Sequence, residues 1–418
     1  MDYGYSGMLK NNLFKSAVPE AGLTLLIAKA LIEDNKRDLI GNFISSNRIN
    51  WKKFSQLIFY HELYPFAYSC LKKHSNYLPA KELELLERHH YACVKGLINL
   101  WGEFQKISAA FRNKNLDFIP IKGLAYLANN LYKDNAYLRP MCDLDILIKK
   151  EMLPEARKIM ADLEYRENLL ELNQCYWEDD NYHLPFRRAP AEDNVFNLEI
   201  HWALDYKRKK PILPDLWNRL YRYETEGTDL CLLSPEDSLF CLALHQRRFG
   251  KILCLKNACD TAKLLKNNPA LDWGYIIKAA RSGDMRSSVY FILAQAKLLF
   301  DIEIGHSMID ELRVPRYKKM ILKRHILENI LNPGPNFTHE ENLKLLFLKS
   351  HFLLYDNLIE PVRMILNIPR EQFAKFYGLR AYDRKAAFLY NVRYLIFIPL
   401  FIFNLFLGMF RKKEKALI

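Results

Sequence analysis

Apolar residues recur at intervals of three and four positions over the first quarter of the chain, and that spacing is typical of helices with one buried face. The longest such stretch runs from about residue 80 to residue 112, and shorter ones begin at Leu23 and at Trp51. The polar run Asn113-Lys-Asn115 ends the pattern. The spacing therefore predicts an N-terminal helical region over residues 1–115.

From residue 116 to residue 210 the apolar positions fall into short runs, some with alternating polar residues, and such runs indicate β-strands. Two stretches of helical spacing lie between them. The predicted elements are strand 116–121, helix 124–132, strand 142–148, helix 151–163, strand 181–187 and strand 195–202. This mixture predicts an α+β core, a small mixed sheet with helices, flanked by helical regions on both sides.

Helical spacing returns after Pro211, and we predict that residues 211–385 form a C-terminal helical domain. Its clearest helix start is Ser234-Pro-Glu-Asp237. Serine caps the helix there, proline fits the first turn, and the acidic residues lie beside the positive end of the helix dipole. The basic run from Lys207 to Lys210, with two prolines after it, marks the predicted boundary between core and C-terminal domain.

Residues 386–418 form a tail of different composition. Its stretch 394–410 is 17 residues long and contains one Asn and no charge, and Arg411-Lys-Lys413 follows. Crossing a bilayer takes about 17 to 25 apolar residues, and basic residues on both flanks give no orientation. We keep three interpretations of 394–413: a helix that touches a membrane, a membrane anchor, and a helix buried against the body or between copies.

The chain carries 61 Lys and Arg residues against 48 Asp and Glu residues, a net charge of +13. A basic surface suits an anionic partner, and nucleotides, nucleic acids and acidic membranes all qualify. We find no helix-turn-helix, RNA-recognition or zinc-finger pattern, so a dedicated nucleic-acid module has no support.

The eight cysteines form no Cys-x-x-Cys pair, and most lie in apolar helical stretches. This usage is typical of buried free thiols in a reducing compartment and argues against a structural zinc site. The N-terminus has neither the basic start nor the apolar stretch of a secretory signal. We therefore predict a cytoplasmic protein, peripheral to or anchored in a membrane if the tail makes that contact.

Two aspartates, Asp143 and Asp145, lie one residue apart in predicted strand 142–148. Because side chains alternate along a strand, both carboxylates point to one side, about 6–7 Å apart, and the apolar residues point to the other. Like charges this close repel and usually need a shared cation, and an all-oxygen pair suits a hard divalent ion such as Mg²⁺. A single Asp-x-Asp remains weak evidence by itself, because strand ends often carry exposed acids.

A third carboxylate lies in predicted strand 195–202, where Glu199 and His201 share one face. Three carboxylates on two such strands would form a coherent metal site. We expect His201 to orient either a carboxylate that binds the metal or the acceptor, meaning the molecule that would receive the transferred group in a reaction at this metal. His183, on the preceding strand, is a weaker candidate for such a role, and we favour a structural histidine there.

The turn Lys122-Gly123 opens a predicted helix, whose free N–H groups and positive dipole end favour an anion. Lys122 is predicted to contact phosphate as a point charge, and Arg139, in the loop before the aspartate strand, to do the same. A Lys-Gly pair is also common in turns that bind no ligand, so it indicates a phosphate site only together with the carboxylates.

These stretches together resemble a family of bacterial nucleotidyltransferases with the pattern KG, R, DxDxL and ExHW. In this chain the pattern reads Lys122-Gly123, Arg139, Asp143-Leu-Asp145 and Glu199-Ile-His-Trp202, and the similarity covers about residues 45–300. The resemblance implies a polymerase-β-like nucleotidyltransferase core that binds an NTP. It also implies that the carboxylates of Asp143, Asp145 and Glu199 are catalytic and hold two Mg²⁺ ions.

One departure from the wider superfamily lies at the first turn. There a serine usually follows the glycine and holds a triphosphate oxygen, whereas Leu124 follows Gly123 here. The resemblance therefore implies an atypical triphosphate grip, with Lys122 available to replace the serine.

Two functions follow as hypotheses. The first is a Mg²⁺-dependent enzyme that moves a nucleoside monophosphate from an NTP onto a hydroxyl of an acceptor, which is a protein, a small molecule or an RNA end. The second is a catalytically inactive protein of the same fold that binds at a membrane or partner surface. Nucleotide binding distinguishes the two.

Overall fold

The computed structural model describes residues 18–169, 177–178, 181–191, 194–206, 212–225, 228–248 and 254–327, and short stretches between 352 and 395. The segment 394–413, predicted to contact a membrane or pack as a helix, lies outside the described residues apart from residue 395. No helix within the described ranges is both long and apolar enough to cross a membrane.

Helices fill the described N-terminal part, as the apolar spacing predicts. They are α1 Pro19–Ile32, α2 Asp38–Ser46, α3 Trp51–Tyr60, α4 Tyr64–Leu71 and α5 Ala80–Asn113. The Asn50 side chain caps α3 by accepting a hydrogen bond from the Lys53 amide. α1 is buried almost all round, so it lies inside the helical layer instead of on its surface.

A five-stranded mixed sheet follows within the described core. Its elements are β1 Phe118–Pro120, α6 Lys122–Ala128, β2 Leu144–Ile148, α7 Leu153–Asp162, β3 Arg166–Glu167, β4 His183–Ala191 and β5 Asn194–His201. The strand order is β1-β2-β5-β4-β3. β2 and β5 run parallel, with α7 in the connection between them, and the other neighbours are antiparallel. The predicted α+β class is confirmed.

The two faces of β2 and β5 have different chemistry, as alternation along a strand requires. Leu144, Ile146 and Ile148 are fully buried and join one apolar cluster with Leu198 and Ile200. Phenylalanines of α5 complete that cluster, so the long helix packs on this face of the sheet. The polar residues of the same two strands are left on the opposite face.

The C-terminal part begins differently from the prediction of helix after Pro211. A hairpin comes first, β6 Tyr221–Thr225 and β7 Thr228–Leu232. Leu230 and Leu232 are buried in one apolar cluster with Phe118 of β1, so a tertiary contact holds these strands. Short strands rich in charged residues carry little signal of their own, which is why the pattern did not predict them.

Helices then continue to the end of the described residues. They are α8 Pro235–Arg248, α9 Leu255–Asn267, α10 Trp273–Ser282, α11 Arg286–Phe300, α12 His306–Glu311, α13 Arg316–His325 and α14 Arg370–Phe376. Ser234 caps α8 as predicted, because its Oγ accepts from the Asp237 amide at 3.1 Å. α1, α8, α9 and α11 share one buried apolar cluster, so the N-terminal and C-terminal helices pack together around the sheet. The domain boundaries at 115, 210 and 385 stay predictions.

Cysteines of the described residues are all free, as predicted. Cys70, Cys241, Cys254 and Cys259 are buried, whereas Cys142 is exposed.

Candidate active site

Carboxylates from neighbouring strands meet on the polar face of the sheet. Asp145 of β2 lies directly opposite Glu199 of β5 in the parallel register. Asp143 lies one residue before β2, which begins at Leu144 and not at Cys142 as predicted. A ligand oxygen from each of the three carboxylates lies within 4.8 Å of the others. The structure thus brings together the three acids that the sequence singled out.

Lys122 places its ammonium group inside this carboxylate cluster. Its Nζ donates to Asp145 Oδ1 at 2.6 Å and lies 3.5 Å from Glu199 Oε2. The backbone of Lys122 has φ of 55°, a left-handed conformation that costs a residue with a Cβ about 1 kcal/mol or more. This conformation lies at the sharp turn from β1 into α6. In the structure the Lys122 ammonium faces Asp145 and Glu199 and offsets part of their charge, and its phosphate contact stays a prediction.

The carboxylates titrate differently because their partners differ. Burial by itself would raise the pKa of Asp145, but the Lys122 ammonium and a hydrogen bond from His201 hold that pKa well below its usual range. Burial also works against ionisation of Glu199, and His201 and Lys122 again lower its pKa. Burial and the charge of Asp145 raise the pKa of Asp143 to about 6. Asp143 is therefore the acid that most lacks a cation.

His201 touches two of the acids, as expected for a residue that orients a carboxylate. Its Nε2 lies 2.8 Å from Asp145 Oδ1 and 3.2 Å from Glu199 Oε2, and the side chain is buried. An ionised carboxylate only accepts hydrogen bonds, so Nε2 carries the proton in this arrangement.

His183 lies closer to the site than its interpretation as a structural histidine suggested. It faces His201 across the antiparallel β4–β5 pair, and the two ring centroids are 5.0 Å apart. Its Nε2 lies 3.7 Å from Glu199 Oε1. The pairing register of the β4–β5 hairpin decides that His183 faces His201. The sequence pattern alone does not define that register to the residue, so it could not predict the contact.

Arg139 has partners other than the predicted phosphate. Its Nε and Nη2 donate to the two carboxylate oxygens of Asp260 at 2.7 and 2.6 Å, and its Nη1 donates to the Pro140 carbonyl at 3.3 Å. Asp260 lies fully buried on α9, where an ionised carboxylate requires a paired cation. The Tyr132 hydroxyl donates to the same carboxylate at 2.5 Å. Arg139 therefore ties the loop that leads to Asp143 to the C-terminal helices.

Gly123 is required by close approach, not by an unusual backbone conformation. A Cβ at this position would lie 2.7 Å from Arg139 Nη1 and 2.9 Å from the Met141 sulfur. Both distances are far below van der Waals contact. The glycine thus lets the Arg139 loop lie directly against the start of α6, beside Lys122.

Replacing Gly123 with Ala is expected to lower the free energy of unfolding by about 1–3 kcal/mol, because the new methyl group must displace the paired guanidinium or Met141. Chemical denaturation measures the change. Gly102→Ala is the matched control, since nothing lies within 4 Å of a Cβ at that helical position. There alanine should stabilise by up to about 1 kcal/mol. Equal stability of the two variants would contradict the close approach at Gly123.

A cavity of about 430 Å³ lies beyond the C-terminal ends of β2 and β5, and its lining includes none of the three acids. Tyr182 lines it and also contacts the His201 ring, with centroids 5.7 Å apart. Trp202 and Trp217 add aromatic walls. Lys150 Nζ also lines the cavity and lies 5.5 Å from the Trp202 ring centroid. The volume is in the range of small-molecule sites.

Comparison with known families matches this arrangement to a chemistry. The model of a family described as uncharacterised nucleotidyltransferases matches residues 47–301, which is more than half of the chain and includes every site residue named above. No curated protein and no solved structure matches the chain. The extent of the match agrees with the resemblance over about residues 45–300 and confirms it. This chain belongs to that nucleotidyltransferase family.

Proposed function

We propose that this protein transfers a nucleoside monophosphate from a Mg²⁺-bound NTP to a hydroxyl group of an acceptor. The observation that carries the proposal is the parallel register that sets Asp145 opposite Glu199, with Asp143 within 4.8 Å. Family membership supports nucleotidyl transfer as the class of reaction.

The carboxylate cluster fits divalent cations. Its donors are all oxygen atoms, which Mg²⁺ prefers, and the Lys122 ammonium already lies among them as an internal positive charge. Bound Mg²⁺ ions would neutralise the triphosphate and lower the pKa of an attacking hydroxyl. Asp143 and Asp145 would hold both ions, and Glu199 would complete one site and face the acceptor. His201 holds the Asp145 and Glu199 carboxylates in position.

Lys122 supplies the triphosphate grip in this proposal. Its ammonium and a divalent cation compete for the same oxygens of Asp145 and Glu199, so cation binding frees the lysine. The freed side chain starts from the first residue of α6, at the end of the turn from β1. Lys122 would then contact a phosphate, in place of the serine that the wider superfamily carries.

Lys122→Met should separate these two roles. We expect divalent cations to bind about tenfold more tightly, a change of about 1.4 kcal/mol, because a competing charge is removed. We expect the NTP to bind at least about tenfold more weakly, because a phosphate contact is lost. Calorimetric titrations with Mn²⁺ and with Mg²⁺-NTP measure the two effects. Lys106→Met, on the exposed side of α5, should change neither, and weaker cation binding in Lys122→Met would contradict the competition.

The acceptor would lie in the cavity beside His201. Tyr182, Trp202 and Trp217 offer apolar surface against which a ring of the acceptor would pack. Lys150 also lines the cavity and would pair with a negatively charged group of the acceptor.

Titration with ATP, CTP, GTP and UTP, each with Mg²⁺, tests whether the fold acts on nucleotides. At least one NTP should bind below millimolar concentration, should require the divalent cation, and should lose affinity in Asp143→Asn. If none of the four binds at millimolar concentration, the catalytic proposal fails, and a non-catalytic binding protein of this fold becomes the better account.

A further inference from the structure

A second set of ligand atoms lies next to the three carboxylates. His183, Glu199 and His201 also place one ligand atom each within 4.8 Å of one another. The two histidines face each other across the antiparallel β4–β5 pair, so two rigid strands fix their separation. This set contains nitrogen donors, unlike the all-oxygen set of Asp143, Asp145 and Glu199.

Glu199 lies between the two sets and faces both. Its Oε1 lies 3.7 Å from His183 Nε2, whereas its Oε2 lies 3.2 Å from His201 Nε2 and 3.5 Å from Lys122 Nζ. The two sets therefore share this carboxylate. Because Glu199 already belongs to both ligand sets, it could bind a cation in either one without movement of β4 or β5.

His183 has donor capacity that the described structure does not use. Its Nδ1 is buried and has no hydrogen-bond partner among the described residues. Its Nε2 is 3.7 Å from the nearest Glu199 oxygen, beyond hydrogen-bond distance. Packing against Trp177 and Tyr182, at centroid distances of 5.5 and 4.7 Å, nevertheless holds the ring in place. A half-buried imidazole that is fixed by its neighbours, and whose buried Nδ1 has no partner among the described residues, is unusual unless it binds something.

We propose that His183, His201 and Glu199 form a second cation site, selective for an imidazole-binding first-row metal ion such as Zn²⁺ or Co²⁺ over Mg²⁺. Imidazole nitrogen binds these ions well and binds Mg²⁺ poorly. Three protein ligands leave a coordination position open for water or a ligand, as in catalytic zinc sites. The site rests on the geometry of β4 and β5 and does not depend on the proposed reaction.

Occupation of this site changes one contact already described. His201 Nε2 donates to Asp145 in the structure, and the same nitrogen must lose its proton to become a ligand. An ion bound there would take His201 Nε2 from Asp145, and the proton of the neutral ring would move to Nδ1. Asp145 keeps its contact with Lys122 or with a cation in the all-oxygen set.

Titration of the untagged full-length protein with Co²⁺ tests the proposal, with Mg²⁺ present in excess to occupy the all-oxygen set. We expect about one equivalent of Co²⁺ to give the visible absorption bands of histidine-ligated cobalt, and Zn²⁺ to remove them. His183→Ala should weaken Co²⁺ binding by about a hundredfold or more, since even residues that only support a ligand contribute 10–100-fold. Asp143→Asn, which alters only the all-oxygen set, should keep the bands.

Two further variants separate metal binding from loss of structure. His183→Gln keeps a polar side chain of similar length, and circular dichroism establishes whether each variant is folded. Folded His183→Gln should bind Co²⁺ as weakly as His183→Ala. Bands that persist in either folded His183 variant, or that disappear in Asp143→Asn, would overturn the proposal. Such a result would leave His201 as a residue that only positions Asp145.

Discussion

Asp145→Asn is expected to lower the rate of NTP-dependent pyrophosphate release by about a thousandfold or more, equivalent to about 4 kcal/mol of transition-state stabilisation. The side chain keeps its shape but loses the charge that a cation needs. Asp145 is the most connected of the three acids, because Lys122, His201 and the neighbouring Glu199 all surround it. A coupled assay for pyrophosphate, with the NTP that binds, measures the effect.

Asp162→Asn is the matched control for charge, since Asp162 is exposed at the end of α7 and far from the carboxylate cluster in the fold. It should release pyrophosphate at the rate of the unmodified protein. Asp162→Asn should also melt within a few degrees of it, and circular dichroism at the assay temperature establishes whether Asp145→Asn is folded, which separates lost chemistry from lost structure. Undiminished pyrophosphate release by Asp145→Asn would rule out this acid as a cation ligand.

Asp260→Asn is expected to lower the free energy of unfolding by about 3–5 kcal/mol, because it leaves the Arg139 guanidinium buried without its counter-charge. Both guanidinium contacts to Asp260 and the contact from Tyr132 depend on that carboxylate. The pair joins residues 121 positions apart in the chain, so its loss also loosens the loop that leads to Asp143. Denaturant titration followed by circular dichroism measures the change.

An exposed ion pair supplies the control for Asp260. Glu164 pairs with Arg188 at 3.2 Å, but its side chain is 79% exposed, so Glu164→Gln should cost less than about 1 kcal/mol. Replacing both members of the buried pair, as Arg139→Met with Asp260→Leu, should recover part of the stability lost in Asp260→Asn. Equal stability of Asp260→Asn and Glu164→Gln would contradict a structural role for the buried pair.

Local pattern predicted the elements that carry the acids but not how they pair. Alternation along 142–148 and 195–202 was enough to predict which residues join the apolar cluster and which face the site. The register of Asp145 opposite Glu199 depends on contacts between strands more than fifty residues apart, which no local spacing encodes. Local spacing does not encode the β6–β7 hairpin either, because its leucines are buried by packing in one cluster with Phe118 of β1.

Charge partners were the least predictable part of the site. Arg139 precedes the aspartates, so a phosphate contact was a reasonable prediction from the sequence. Its actual partner, Asp260, lies in a helix of the C-terminal part, and only the folded chain brings the two together. Lys122 was predicted beside the site, but its contact with Asp145 depends on a left-handed backbone turn that a lysine rarely adopts.

Transfer of label from NTPs tests nucleotidyl transfer most directly. Parallel reactions would contain Mg²⁺, the protein and a cell extract as the source of acceptor, with the NTP labelled at the α-phosphate in one and at the γ-phosphate in the other. The account predicts that α-label joins an acceptor while γ-label leaves as pyrophosphate, and that Asp145→Asn abolishes both. Appearance of γ-label on the acceptor, or equal transfer by Asp145→Asn, would contradict nucleotidyl transfer at this site.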